Sequence, residues 1–229
     1  MLSDKEKALL ESAFDRSFHA PAKRDIIREG EAPSRSTLLL SGLVVRYRLL
    51  PDGGRQITSI HIPGDFIDLQ SFTLQLMDHS LGALTDCTLA TIPHSALLQI
   101  TETQPHLTRV LWKLSLLEGA LHREWIVAMG GMPSVSHLAH LFCEMYLRFK
   151  VVGLTEGYDF PFPVTQQELG DTLGISPVHV NRVLQDLRAQ RVIQFDGKIG
   201  SILDWNRLVE IGQFDDKHLH LQDEAMSVA

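Results

Sequence analysis

Between Ser176 and Arg191 the chain reads SPVHVNRVLQDLRAQR, a stretch in which apolar and hydrogen-bonding side chains alternate at helical spacing. Val180, Val183, Leu184 and Leu187 form one stripe of that helix, leaving Pro177, Val178, His179, Asn181, Arg182, Gln185 and Arg188 mostly outward. Side chains of these types suit one kind of chemistry. A guanidinium such as that of Arg182 can fork onto O6 and N7 of a guanine, and the methyls of Val178 can touch that of a thymine. His179 and Asn181 can reach bases or phosphates. The task is recognition of a base-pair edge, with no bond made or broken.

Such residues need a rigid mount, and the preceding stretch supplies one. Thr165 and Glu168 stand at capping-box spacing, and Leu169, Thr172 and Leu173 keep one helical face. Gly174 supplies the left-handed residue that stops this first helix, and Ile175 enters the turn as an apolar plug. Ser176 then caps a second helix with Pro177 at its first position. Two helices joined by so tight a turn are predicted to be a helix-turn-helix. Gln166 and Gln167 lie near the first helix's N-terminus, where free N–H groups and the helix dipole favour a backbone phosphate. Downstream, RVIQFDGKIGSIL carries two apolar runs around Asp196-Gly197, a hairpin signal that makes a wing and brings Lys198 beside the reading helix. Arg182, Arg188, Arg191 and Lys198 are the candidates for a local basic face.

The whole chain sets limits on that reading. Its 229 residues suffice for two ordinary domains, and 44% hydrophobic and 21% charged residues are the proportions of a soluble globular protein. The net charge of −7 argues against general affinity for nucleic acid and leaves any such affinity to a local patch. No apolar run approaches 18 residues, and the charged N-terminus lacks a signal peptide's apolar centre, so a cytoplasmic location with no membrane partner is expected. Cys87 and Cys143, far apart in apolar sequence, read as reduced, buried thiols.

Residues 1 to about 18 suggest one amphipathic helix with Leu9, Leu10, Ala13 and Phe14 on its apolar side. From Ala20 the pattern changes to short strand-like runs: Ile26-Ile27, Thr37–Leu40, Leu43–Leu49, Gln56–Ile62 and Cys87–Ile92. Turn signals between them predict a β-roll. The insertion from Phe66 to Leu84 is expected to carry a small helix and line a ligand cavity. Pro105 to Met129 is a long helical run whose stripe, Leu107, Val110, Leu114, Leu117, Leu121 and Trp125, is expected to pair with its own copy. Glu124 interrupts that stripe. Gly130-Gly131-Met132-Pro133 breaks the helix as a hinge. A further helix follows from Ser134 to about Phe149, Trp205–Ile211 reads as a closing helix, and the last dozen or so residues read as a tail. The fold class is α+β, with a jelly-roll-like β-roll over 1–104, a dimerisation helix and hinge over 105–132, and a winged helix-turn-helix domain over 133–229.

This order of parts resembles the CRP/FNR superfamily of bacterial transcription regulators over about residues 20–205. The marks are Gly30-Glu31, Gly42 ahead of Val44, Gly64-Asp65-Phe66-Ile67, and VTQQELGDTLGISPVHVNRVL. The resemblance implies a homodimer acting on a near-palindromic site in double-stranded DNA, with RNA polymerase as a further partner. DNA contacts then fall to Gln166, Gln167, Ser176, Pro177, Val178, His179, Asn181, Arg182 and Lys198. It also implies a signal, unidentified from the sequence, acting at the β-roll.

Departures from the family pattern bear on cofactors. Nucleotide-binding members carry a Gly-Glu pair and an Arg-Ser pair where this chain has Asp68-Leu69 and His79-Ser80, the candidate effector-pocket positions. An anion and a neutral imidazole make a poor phosphate cradle, so cyclic AMP is not expected. The operator need not be the family's most familiar one either, because Pro177-Val178 replace the Arg-Glu pair that commonly follows the capping Ser. Two thiols cannot supply the four ligands of an iron–sulfur cluster. Haem is not expected, since none of the eleven histidines, His61, His79 and His94 included, is singled out by spacing. His137 and His140 are three apart on one helical face and read as solvated surface, so no metal site is expected. Two alternatives remain beside the regulator. One is a cyclic-nucleotide-responsive regulator of the same fold. The other is a cupin-like metalloenzyme, for which residues 54–65 offer only His61.

Overall fold

Ser3 caps the first helix, α1 (Asp4–Ala13), by accepting from the Glu6 N–H while the Glu6 carboxylate accepts the Ser3 N–H. The structure, a computed structural model, describes residues 2–221. The helix stops at Ala13 instead of running to residue 18, and Arg16–Ala20 forms a strand, β1. Phe18 and Ala20 alternate into the core while Ser17 and His19 face out, a period of two that ends the helical period.

The chain then runs β2 (Asp25–Ile27), β3 (Arg35–Ser41), β4 (Val44–Leu49), β5 (Arg55–His61), a short α2 (Ser71–Leu74), β6 (Ser80–Ala83) and β7 (Cys87–Pro93). One antiparallel sheet has the order β1-β7-β3; the other has the order β2-β6-β4-β5. Leu39, Cys87 and Leu89 from the first sheet and Ile27, Val44, Leu81 and Ala83 from the second share one core, so the two sheets make the expected roll. The insertion does carry its small helix, and it also carries β6, too short to show in the sequence pattern. At Gly42 (φ +92°) the turn between β3 and β4 lies against β7: a Cβ there would sit 2.5 Å from the Asp86 carbonyl oxygen. Only glycine meets both demands.

α3 (His94–Thr103) and α4 (Pro105–Gly131) follow. Leu97, Ile100, Leu107 and Leu111 cluster with Ile92 and with Leu10, Ala13 and Phe14 of the N-terminal segment, whereas Leu9 is exposed. This places Leu107, at 1% exposure, in the chain's own core and off a dimer face. Trp125 is likewise buried, its Nε1–H donating to Glu144 at 2.8 Å. Val110, Leu117 and Leu121 are half-buried and Leu114 is partly exposed. The outward apolar face of α4 is a different one, carrying Trp112 (65% exposed), Leu116, Ile126 and Val127. A helix with two apolar stripes gives the same periodicity whichever stripe meets its own chain.

Among the described residues, 49–59 and 122–218 form a second compact unit, and residues 2–48, 60–121 and 219–221 form the first. The boundary falls inside α4, earlier than the Gly130–Pro133 break. The second unit holds α5 (Ser134–Val151), β8 (Asp159–Pro161), α6 (Gln166–Leu173), α7 (Pro177–Ala189), β9 (Ile193–Phe195), β10 (Ile199–Ile202) and α8 (Trp205–Gly212). The strands form a sheet of order β8-β10-β9. Phe142 of α5 is its centre, with the rings of Phe160, Phe162 and Phe195 edge-on at 5.9, 5.7 and 5.5 Å. His137 and His140 are buried, at 5% and 1% exposure, and so are not solvated surface. The reason is α8: Gly212 lets it approach α5 so closely that a Cβ there would sit 2.8 Å from the His140 backbone nitrogen. Of the expected tail, Asp216–Leu219 forms a 3-10 turn, and residues 222–229 lie outside the described residues.

Phe142→Ala removes the hub of that aromatic cluster and is expected to cost about 3–5 kcal/mol of the second unit's stability. Urea denaturation followed by tryptophan fluorescence checks it.

Candidate nucleic-acid interface

The mount forms as its residues require. The Thr165 hydroxyl accepts from the Glu168 N–H at 3.2 Å, and the Glu168 carboxylate accepts from the Thr165 N–H at 2.7 Å. Gly174 closes α6 in the left-handed conformation, φ +69°. Ser176 caps α7, accepting from the His179 N–H at 3.3 Å, and Pro177 occupies the first turn. Gly170 makes the tight crossing possible, since a Cβ on it would fall 2.6 Å from the Ile175 carbonyl oxygen. Val180, Val183, Leu184 and Leu187 are buried against this frame.

Burial of that stripe turns Val178, His179, Arg182 and Gln185 to the outside. Val178 is 65% exposed. Asn181 is half-buried, and its amide donates to the Gln166 side chain at 3.3 Å. Two of the expected DNA-contacting side chains are therefore joined to each other, and the pair couples the reading helix to α6. Gln167 is exposed, with its amide donating to Asp171 at 2.7 Å. That Asp171 carboxylate also accepts from Arg55, whose Nη2 and Nε lie 2.8 and 2.9 Å from one oxygen. Sequence reasoning missed Arg55, because 116 positions separate the partners.

In the wing, Asp196 accepts from the N–H groups of Lys198 and Ile199, both at 2.8 Å, and Gly197 takes φ +86°. This sets the Lys198 side chain on the outside of the hairpin. Arg188 is not part of an open basic face: its guanidinium donates to the Phe195 carbonyl and ties α7 to β9. Arg191 is exposed.

At the β-roll, the four candidate effector positions are engaged inside their own unit. Asp68 is fully buried and accepts both the N–H and the hydroxyl of Thr37. Burial pushes its carboxyl up to about 7 despite those hydrogen bonds. His79 is held by Asp78 on Nδ1 and faces Gln70 through Nε2 at 3.2 Å. Burial, then the charge of Arg46, pushes its imidazole down to about 4. Ser80 accepts from the Glu29 N–H at 3.0 Å, and Leu69 packs against the α3–α4 cluster. Arg46, the guanidinium that influences both Asp68 and His79, is itself paired with Glu118. A neutral imidazole, a buried acid and an arginine already paired do not fit a cyclic phosphate.

The other haem candidates are placed apart: His61 faces Asp65, and His94 bonds the Ser36 and Ser71 hydroxyls. Cys87 and Cys143 are both buried, in different units, with both thiols pushed up by burial. They do not fit an iron–sulfur cluster, which takes its ligands from several thiolates gathered at one place.

A β-roll in one unit and a winged helix-turn-helix in the other are the parts of which a transcription regulator is built. Comparison with known proteins agrees. The family description "Cyclic nucleotide-binding domain" matches residues 18–104, and "Crp-like helix-turn-helix domain" matches residues 136–211. The chain is 24% identical to an anaerobic regulatory protein of Haemophilus influenzae over 210 residues, covering 92% of this chain and 81% of that one. It is 27% identical to the nitrogen fixation regulation protein FixK of Bradyrhizobium diazoefficiens over 180 residues, covering 78% and 74%. In fold it is similar to FixK2 from Bradyrhizobium japonicum, with a TM-score of 0.78 at 24% identity over 86% of this chain and 96% of that one. The chain belongs to the CRP/FNR superfamily and is a DNA-binding transcription regulator.

Asp68 gives a pH signature. In the folded chain it holds its proton to about pH 7, whereas its ordinary value is 3.8. Between those limits the folded state binds more protons than the unfolded one. Its contribution to stability is complete below about pH 4 and is lost as pH rises through 7. Asp68→Asn, which keeps partners for Thr37 without the charge, is expected to flatten that decline and to stabilise the unit above pH 7 by about 2 kcal/mol. Urea denaturation of both proteins across pH 5–8 checks the slope.

Proposed function

We propose that the protein acts as a homodimer on a near-palindromic DNA site, with α7 of each copy in a major groove about one helical turn from the other. The observation that carries this reading is the outward face Val178–His179–Arg182. It stands at the N-terminal half of a helix whose opposite face is locked into its own domain. Arg182 reads a guanine edge, Val178 touches a thymine methyl, and His179 reaches a base or phosphate. Ser176 and Pro177 bring the helix start to the groove wall, and Gln166 and Gln167 meet the backbone as their internal partners are exchanged for phosphate oxygens. Lys198 meets phosphate from the wing.

Pairing of copies is supported by the exposed apolar side chains of α4, Trp112, Leu116, Ile126 and Val127, together with Leu114 of the expected stripe, whose end residues Leu107 and Trp125 are buried in the chain itself. RNA polymerase is the further partner, as the transcription role requires. No described helix is long and apolar enough to cross a membrane; the cytoplasm is the place that a DNA-binding role requires.

The alternative of a cyclic-nucleotide-responsive regulator finds no support in the surroundings of Asp68 and His79. The cupin-like enzyme would need ligands in the roll. Among the described residues, the one cluster of three donors able to hold an ion lies in the second unit. The regulatory role is the one that the winged helix-turn-helix supports, with a signal other than a cyclic nucleotide.

In vitro selection from random DNA is expected to return a two-fold symmetric site; an asymmetric site or none would overturn the dimeric reading. Arg182→Ala should weaken specific binding by about 1–3 kcal/mol and relax one base position. Lys198→Ala should weaken binding to all sequences alike and flatten the salt dependence by about one phosphate contact, as titrations across salt concentrations would show.

A further inference from the structure

The buried histidines of α5 have a geometry that the DNA-binding role does not use. His140 and Glu144 lie one helical turn apart on α5, and His218 approaches them from the 3-10 turn that follows α8. One ligand atom from each lies within 4.8 Å of the other two. The Nε2 atoms of His140 and His218 are both buried without a hydrogen-bond partner. Their tautomers follow from the other ring nitrogens: His140 Nδ1 lies 3.2 Å from the Gly212 carbonyl oxygen, and His218 Nδ1 lies 2.8 Å from that of Asp215. A carbonyl only accepts, so both protons reside on Nδ1 and both Nε2 atoms present bare lone pairs. Two bare lone pairs thus converge beside a carboxylate, with no donor to either imidazole nitrogen. Leaving such groups buried and unpaired is costly, and a cation resolves the conflict.

We propose that His140, Glu144 and His218 form a binding site for a first-row divalent transition ion of the zinc class. Two imidazoles and a carboxylate are the donors that such ions take, with one coordination position left to solvent. Anchoring of each Nδ1–H on a backbone carbonyl is the usual outer support of a metal-binding histidine. Glu144 is oriented in the same way: one oxygen accepts Trp125 Nε1–H at 2.8 Å and the other accepts Arg148 at 3.1 Å. Each oxygen retains a second lone pair for the ion. Ligand atoms on a shared tetrahedral zinc stand about 3.4 Å apart, so the site closes by at most about 1.4 Å on binding. His218, on a short turn, is the ligand able to make that move. The bound ion would pin the segment after α8 to α5 and, through Glu144 and Trp125, to the end of α4. Metal supply would thereby set the rigidity of the DNA-binding unit.

The test uses tag-free, chelator-stripped full-length protein titrated with Zn(II) and, for a visible signal, with Co(II). One ion per chain is expected, with the d–d absorption of a four- or five-coordinate Co(II) site and a rise in Tm that EDTA reverses. His218→Ala, which alters the most exposed ligand, is expected to lower affinity at least tenfold while the stripped protein keeps its far-UV circular dichroism. Glu144→Gln, which still accepts from Trp125, should do the same; His220→Ala, a neighbouring histidine outside the cluster, should not. Absence of stoichiometric uptake by the unaltered protein, or equal affinity in His218→Ala, would overturn the site and leave a bridging water as the partner of the two imidazoles.

Discussion

The close approach of Gly170 to the Ile175 carbonyl is the constraint on which the DNA-reading head depends. It brings the first helix against the turn before the second, and any side chain at that position would push the two apart. With the crossing settled, the Thr165–Glu168 cap and the Ser176 cap determine where each helix begins. Burial of Val180, Val183, Leu184 and Leu187 then determines which residues of α7 face out. The exposed position of Arg182 is thus a consequence of packing on the opposite side of the same helix. Arg188 extends this rigidity to the wing, because its bond to the Phe195 carbonyl joins the reading helix to the strand beside it.

Much of this head was legible in the sequence because its signals are local. Capping boxes, a left-handed glycine, a proline in the first turn and an Asp-Gly hairpin each depend on a few neighbouring residues. The roll was legible for the same reason in its longer strands. The features that escaped are those decided by distant partners. β1 looked helical until its pairing with β7 imposed a two-residue period. β6 and β8 are four and three residues long and acquire their strand character from the sheet they join.

Burial was harder still to read. His137 and His140 have the spacing of a polar helix face, and nothing near them in sequence announces that α8 will cover them by way of Gly212. His218 lies 78 positions after His140, so no local spacing links the two. α4 shows the same limit, since its two apolar stripes are equivalent in the pattern and only the structure tells which is turned inward. At the roll, by contrast, the argument from residue types and the burial of the same residues point in one direction. An acid and an imidazole are a poor cradle for phosphate, and burial of Asp68 and His79 makes them poorer.

The wet side of α4 has a bearing on the life of the protein in the cell. A ridge carrying an indole, a leucine, an isoleucine and a valine orders water along its length for as long as it lacks a cover. A second copy of the chain laid along the ridge would remove that cost. If identical chains cover that ridge, as proposed above, the number of molecules present would become an input in its own right, with scarce chains meeting DNA singly and abundant ones already assembled.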